Sequence, residues 1–304
     1  MTAISSSSAQ NSHWDKARSP DGLRIRIGPF SVCVRSSLKA VNEGLNLLYA
    51  DYPVLDENAF IDFYVRLKTP SGFRGWYRPQ ALFEFDGQYP FKPLPLSQAF
   101  AFFEWGLNWC FAQHSNQYLI YHAAVIERSG QAIILPAPPG SGKSTLCAAL
   151  MHRGWRLLSD ELCMIDRNTG QIVPVPRPAS LKNESINVMR EFAPEAVIGP
   201  TAHDTAKGSV AHLKIPKDML DRQDETATPA LVVLPKFQKG SPVQIEDMDK
   251  AHMFMEVATN AFNYSVLGAE AYDMTADLVD RCDCLRFTYS KLDDAIQTFE
   301  RFID

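Results

Sequence analysis

The sequence predicts an α/β protein, a phosphate-loop core preceded by a small N-terminal α+β domain. Three observations predict it. The chain has 304 residues, which at roughly 100–200 residues per domain is enough for two. Beyond residue 118, short apolar runs of strand length alternate with segments of helical period. A Gly-rich loop at residues 137–145 joins one such run to one such segment. Hydrophobic residues make up 46% and charged residues 21%, which excludes a disordered chain, a collagen or a coiled coil. Lys and Arg number 30 against 35 Asp and Glu, for a formal charge of −5. That balance argues against nucleic acid as a partner and leaves room for a small anion site.

The elements follow in order. Residues 1–22 are Ser-rich and polar, lack the apolar stretch of a secretory signal, and read as a disordered tail. Leu23–Val34 alternates through Ile25, Ile27, Val32 and Val34 as one or two strands. Ser37–Tyr49 has helical spacing through Leu38, Val41, Leu45 and Leu48. Ala59–Leu67 and Ala81–Phe85 read as strands around a turn at Gly72 and Gly75. Pro90, Pro93 and Pro95 then mark a boundary, so the expected domains are 23–95 and 96–304. A helix is expected over Ser97–His114. Its most apolar part, Ala99–Ala112, is interrupted by Glu104 and Asn108 and is shorter than the ~20 residues that span a bilayer, so no membrane span is expected.

Tyr118–Glu127 and Gln131–Leu135 read as strands around Ser129-Gly130. The loop and a helix follow over Pro136–Arg153, then strands at Trp155–Ser159 and Leu162–Ile165. Pro174, Pro176 and Pro178 mark another loop. Leu231–Leu234 is a short buried strand, Met253–Leu267 a helix, Leu285–Tyr289 a strand and Leu292–Phe302 a closing amphipathic helix. Six scattered cysteines form no C-x-x-C pair, and Cys282-Asp283-Cys284 stands without a second ligand cluster. They read as buried thiols in a reducing cytoplasm.

The chemistry lies in Ala137-Pro138-Pro139-Gly140-Ser141-Gly142-Lys143-Ser144-Thr145. This is the phosphate-binding loop pattern with Ala in place of its first Gly. Such a turn points successive backbone N–H groups inward as an anion nest, and the following helix N-terminus adds positive potential. Gly140 and Gly142 admit conformations that a Cβ would block. Lys143 can reach the β- and γ-phosphates, and the Ser144 hydroxyl can ligate Mg2+. The loop follows Ala132-Ile133-Ile134-Leu135 and precedes Leu146, Ala149 and Leu150, the strand-to-helix context the motif needs. Asp160-Glu161 ends the strand after that helix, where an α/β sheet presents its ligands. Before the loop, His122 lies in the strand Tyr121–Val125. Lys207, in a polar Gly-containing loop, is a candidate to close over the phosphates, and Arg177 is another.

His122, the loop and the pair Asp160-Glu161, in that order, resemble the kinase domain of HPr kinase/phosphorylase, the HPr kinase / PEP carboxykinase type of core. The strings Pro176–Ile186, Ala206–Leu213 and Leu285–Leu292 are similar to those of HPr-kinase-related kinases found beside exosortase and exopolysaccharide genes. The resemblance covers about residues 117–302. It implies an ATP- and Mg2+-dependent serine kinase whose acceptor is a protein serine or free serine. Pro139, Gly140, Ser141, Gly142, Lys143, Ser144, Thr145 and Lys207 would bind the nucleotide. Ser144, Asp160, Glu161 and Glu184 would serve the metal. Asp160 would be the base for the acceptor hydroxyl, and His122 would tune or orient it. The resemblance also raises a homo-oligomer. The second acid is Glu161 where that family has Asp. Two other readings use the same loop: an ATPase or nucleotide-dependent switch with water as nucleophile, and a phosphoenolpyruvate-carboxykinase-like enzyme.

Overall fold

The computed structural model describes residues 13–71, 79–136, 138 and 140–303. The fold is mixed α/β, with three sheets. The turn expected at Gly72 and Gly75 lies outside the described residues, as do Ala137 and Pro139.

The first sheet is built by β1 (Leu23–Ile27), β2 (Phe30–Ser36), β3 (Phe63–Lys68), β4 (Gln80–Phe85) and β5 (Leu94–Pro95), in that spatial order. Only β2 and β3 run parallel, and the helix α2 (Lys39–Leu48) lies in their crossover. Within the stretch expected to be a disordered tail, His13–Arg18 form a helix, α1. Its Ala17 is buried, and the helix packs on α2 and on β2. The apolar contact of that one residue anchors the part of the segment that polar composition alone suggested would be loose.

After a 3-10 turn at Leu96–Gln98 comes α3 (Ala99–His114). Buried residues occur all round it, among them Phe102, Phe103, Leu107, Cys110 and Phe111. A helix that is apolar on every side must be covered on every side. One side of α3 meets the first sheet: Phe111 stacks on Phe30 at 4.6 Å between ring centroids. Gly106 lies so close to Phe83 that a Cβ there would stand 2.3 Å from the ring. The expected boundary at residues 95/96 falls between the first sheet and this helix, yet α3 shares a core with the first sheet.

The large sheet contains β6 (Tyr118–Arg128), β7 (Gln131–Pro136), β8 (Arg156–Ser159), β9 (Leu162–Asp166), β10 (Ile172–Val173), β14 (Thr228–Phe237), β15 (Gln244–Asp247) and β16 (Asp283–Tyr289). Its order is β10-β9-β6-β7-β14-β16-β15, with β8 also on β6. β7, β14 and β16 are mutually parallel and form the centre. The strands are apolar on both faces because both faces are covered. One face, through Ile133, Leu135 and Phe287, joins the core that also contains α4 (Lys143–Met151), α10 (Leu292–Glu300) and the N-terminal sheet. The other, through Tyr121, Ile134 and Val232, packs on α7 (Lys250–Thr259) and α9 (Ala269–Arg281).

The helix expected over Met253–Leu267 is two pieces, α7 and α8 (Tyr264–Leu267). The chain between them gives its polar groups to β6. The Phe262 N–H donates to the Ile120 carbonyl at 2.8 Å. The Asn263 side chain accepts from the Ile120 N–H at 3.0 Å and donates to the Tyr118 carbonyl at 2.8 Å. An apolar periodicity cannot register that competition.

A third sheet, β11 (Ala179–Lys182), β13 (Gly208–Leu213) and β12 (Ala202–Thr205), is antiparallel. It lies beside α5 (Glu184–Phe192), and α6 (Lys217–Asp221) follows. The six cysteines are buried and free. No helix among the described residues is long and apolar enough to cross a membrane.

Candidate functional site

The central parallel strands end at one edge of the sheet, and the loop after β7 lies there. Neighbouring strands fix it through its backbone. The Phe237 N–H, at the end of β14, donates to the Ser141 carbonyl at 2.8 Å. The Tyr289 hydroxyl, at the end of β16, donates to the Gly142 carbonyl at 3.0 Å. Gly140 and Gly142 both have positive φ, 88° and 89°. At Gly142 a Cβ would also stand 2.6 Å from the Tyr289 hydroxyl and 2.8 Å from the Phe237 Cβ. Glycine is therefore required there twice, by conformation and by space.

Gly142 caps α4 with no side-chain hydrogen bond. The N–H groups of the first helical turn have no intrahelical partners, and they remain available to an anion. Lys143 opens the helix and is only 8% exposed. Burial lowers its pKa, and the nearby Asp160 carboxylate opposes that shift. Ser144 and Thr145 are half-buried on the same turn. The Ser141 hydroxyl is buried without a partner.

Asp160 follows β8, and Glu161 leads into β9. Asp160 is 6% exposed. Its Oδ2 accepts the Ser180 N–H at 2.8 Å, while its Oδ1 is buried with no partner. Burial raises its pKa, reinforced by Glu161 and opposed by Lys182 and Lys143. Glu161 is bound by Lys182 Nζ at 3.1 Å. Burial works to raise the Glu161 pKa, but Lys182, Lys207 and Arg177 together hold it at about 2. Two adjacent carboxylates are thus driven in opposite directions.

His122 is placed on β6 beside these groups. Its N–H donates to the Asn260 carbonyl at 2.7 Å, and its ring lies 5.6 Å from that of Phe262. Burial, with Lys143 next, pushes its pKa down to about 4, so the imidazole is neutral at neutral pH. The hydrogen-bond partner of the Asp160 carboxylate among the described residues is the Ser180 amide.

Lys207 lies on the exposed turn between β12 and β13, near enough to act on both Glu161 and His122. Arg177, the other candidate for the phosphates, is held elsewhere. It donates to the Glu104 carbonyl at 3.0 Å and carboxylate at 3.3 Å, and to Asn108. Glu184 is exposed at the start of α5, and the other acids are not gathered around it. Among the described residues no three His, Cys, Asp or Glu side chains converge to hold a metal ion. Pro139 lies outside the described residues.

Two cationic or aromatic groups of the site carried no assigned role in the sequence. Lys182 holds Glu161, and His212, buried opposite Ser180 in the third sheet, has its pKa pushed down to about 3 by burial. Both occur within strings already singled out, but only the β11–β13 pairing shows that they face the acid pair. Asp160, Glu161, Lys182, Lys207 and His212 line a cavity of about 350 Å³, whose opposite wall is α3.

Comparison with known proteins gives limited matches. The family model described as "SynChlorMet cassette protein ScmC" matches residues 88–187, from the end of the first sheet through the phosphate loop and the acid pair. Its description differs from the exosortase-associated kinases that the sequence resembles. No curated protein matches. Among solved structures, the HPr(Ser) kinase/phosphatase from Coxiella burnetii is similar over 60% of this chain and 95% of that chain, at 13% identity and a TM-score of 0.26. At that identity and superposition the likeness decides nothing about function.

Proposed function

We propose that this chain is an ATP-dependent phosphotransferase of the phosphate-loop kinase type, moving the γ-phosphoryl group to a serine hydroxyl. The observation that carries the reading is the meeting of two features. A strand–loop–helix anion site containing Lys143 lies next to a buried carboxylate, Asp160, whose free oxygen has no protein partner. An unpaired buried polar atom is costly, so a ligand group is the natural partner for it.

The uncapped first turn of α4 and the loop N–H groups would hold the phosphates, with Lys143 on the β- and γ-oxygens. The Ser144 hydroxyl and one carboxylate of the acid pair would hold Mg2+, which keeps several waters of its own and needs few protein ligands. The ion would supply neutralisation of charge between the phosphates. The chain's own residues do the rest. Asp160, raised in basicity by burial, accepts the proton of the acceptor hydroxyl. The hydroxyl oxygen forms a bond to the γ-phosphorus, and the bond from that phosphorus to the β–γ bridging oxygen breaks. The electron pair leaves with ADP, and the proton resides on Asp160. Lys143 stabilises the charge that develops on the phosphoryl oxygens. Lys182 keeps Glu161 ionised and fixed beside Asp160. Lys207, on the exposed turn, would close over the phosphates.

The test is the fate of a label on the γ-phosphate of ATP, with serine peptides and free serine as acceptors. The reading predicts label in a phosphoserine ester that survives acid and is cleaved by base. Label released only as inorganic phosphate would instead identify an ATPase or nucleotide-dependent switch.

A further inference from the structure

We infer that the acceptor hydroxyl is carried by an amphipathic molecule whose apolar arm lies against α3, and not by free serine. The inference rests on the phosphotransferase reading above and adds the class of acceptor.

The cavity of about 350 Å³ lies in the ~300–1,000 Å³ range of pockets that enclose small organic ligands. Its polar lining includes Asp160, Glu161, Lys182 and Lys207. Its apolar lining is made by Leu94, Ala101, Phe102 and Trp105, with Gln98 and Glu104 from the same segment beside them; all of these precede the Gly-rich loop by more than thirty positions. An acceptor with its hydroxyl at Asp160 therefore extends toward that wall.

Charged side chains of the lining are already engaged: Glu104 accepts from Tyr49 and Arg177. Arg177 is bound to Glu104 and Asn108, and Lys182 is bound to Glu161. Lys207 is the cation assigned to the phosphates. A free amino acid brings both an ammonium and a carboxylate into this space, and charges set against an apolar wall are strongly disfavoured. An apolar arm in the same place gains about 25 cal/mol for each Å² it removes from water.

Trp105 is the large aromatic surface that α3 presents to this cavity. It is 44% exposed, yet its ring is held firmly, at 4.3 Å from Phe91 and 5.9 Å from Phe102 between centroids. A fixed aromatic surface facing a cavity binds at little entropic cost. We assign Trp105 as a specificity-determining residue for the acceptor.

The experiment is steady-state transfer from γ-labelled ATP by the full chain with Mg2+. Three acceptors are compared: free serine, a capped serine peptide with phenylalanine beside the serine, and the same peptide with aspartate there. The phenylalanine peptide is expected to show kcat/KM at least about tenfold above the others, tenfold being about 1.4 kcal/mol. Trp105→Ala should raise its KM about tenfold with little change in kcat, Trp105→Phe should restore it, and the ATP-induced rise in melting temperature should persist in both variants. Equal use of all three acceptors, or unchanged KM in Trp105→Ala, overturns the inference and leaves phosphoryl transfer standing. Label released only as inorganic phosphate with every acceptor overturns the phosphotransferase reading, and the inference with it.

Discussion

Asp160 is pulled two ways. Burial and the neighbouring Glu161 favour its protonated form, while Lys182, Lys143 and the Ser180 amide favour the carboxylate. The balance raises its pKa, which defines the sign of a pH effect. If Asp160 accepts the acceptor's proton, the transfer rate falls as pH drops through that raised pKa. The acid limb of a kcat/KM profile should therefore lie above the ~3.9 of an unperturbed aspartate. His212 supports a different prediction. Its pKa falls from 6.5 to about 3 mainly through burial, so the folded state binds this proton less readily than the unfolded chain. Its contribution to stability is complete above pH ~6.5 and is lost as pH falls toward the folded value. Denaturant titrations should show stability dropping between pH 7 and pH 5 less steeply in His212→Gln than in the wild type. At this scale the sequence was most legible in the backbone: the loop pattern placed glycine at positions 140 and 142, and both have positive φ. The ion pair of Lys182 with Glu161 and the Ser180 amide on Asp160 depend on long-range strand pairing, which no local signal encodes.

At the scale of elements, α3 is the informative one. Its apolar run reads from the sequence as a buried or amphipathic helix, and the reason for that composition is its position between the first sheet on one side and the site cavity on another. The close approach at Gly106 gives a direct test. Gly106→Ala places a methyl group against Phe83, and overpacking of this kind costs about 1–3 kcal/mol. A chemical denaturation midpoint unchanged by that substitution would mean that α3 does not sit so close to the sheet. The short pieces were least legible. β10, β11 and β12 have two to four residues each, too few for a period to emerge, and the break between α7 and α8 is made by hydrogen bonds to β6. The strands around the phosphate loop were legible because they are buried on both faces and so read as continuous apolar runs.

For the whole molecule, one apolar core runs from Leu23 in the first sheet through Phe103 and Phe111 of α3 to Leu146, Trp155 and Phe287 around the Gly-rich loop. Two composition-defined domains therefore share their interior. We propose that the N-terminal unit, residues 23–95, works as a fixed wall behind the acceptor cavity. On that account thermal unfolding followed by tryptophan fluorescence and by circular dichroism should give coincident transitions, and two separated transitions would contradict it. Mg2+ and ATP together should raise the melting temperature, since a ligand that binds only the native state stabilises it. Lys143→Ala should remove most of that rise.

The central claim is that Asp160, beside the phosphate loop, accepts the proton of the acceptor hydroxyl during transfer. The most direct measurement is the rate of γ-phosphoryl transfer by Asp160→Asn at saturating Mg2+ and ATP, with nucleotide binding monitored in the same samples. General-base catalysis contributes about 10²–10⁴-fold, so the predicted result is a rate lower by about that factor with ATP still bound. A variant that binds ATP and transfers its phosphoryl group at the wild-type rate would contradict the account.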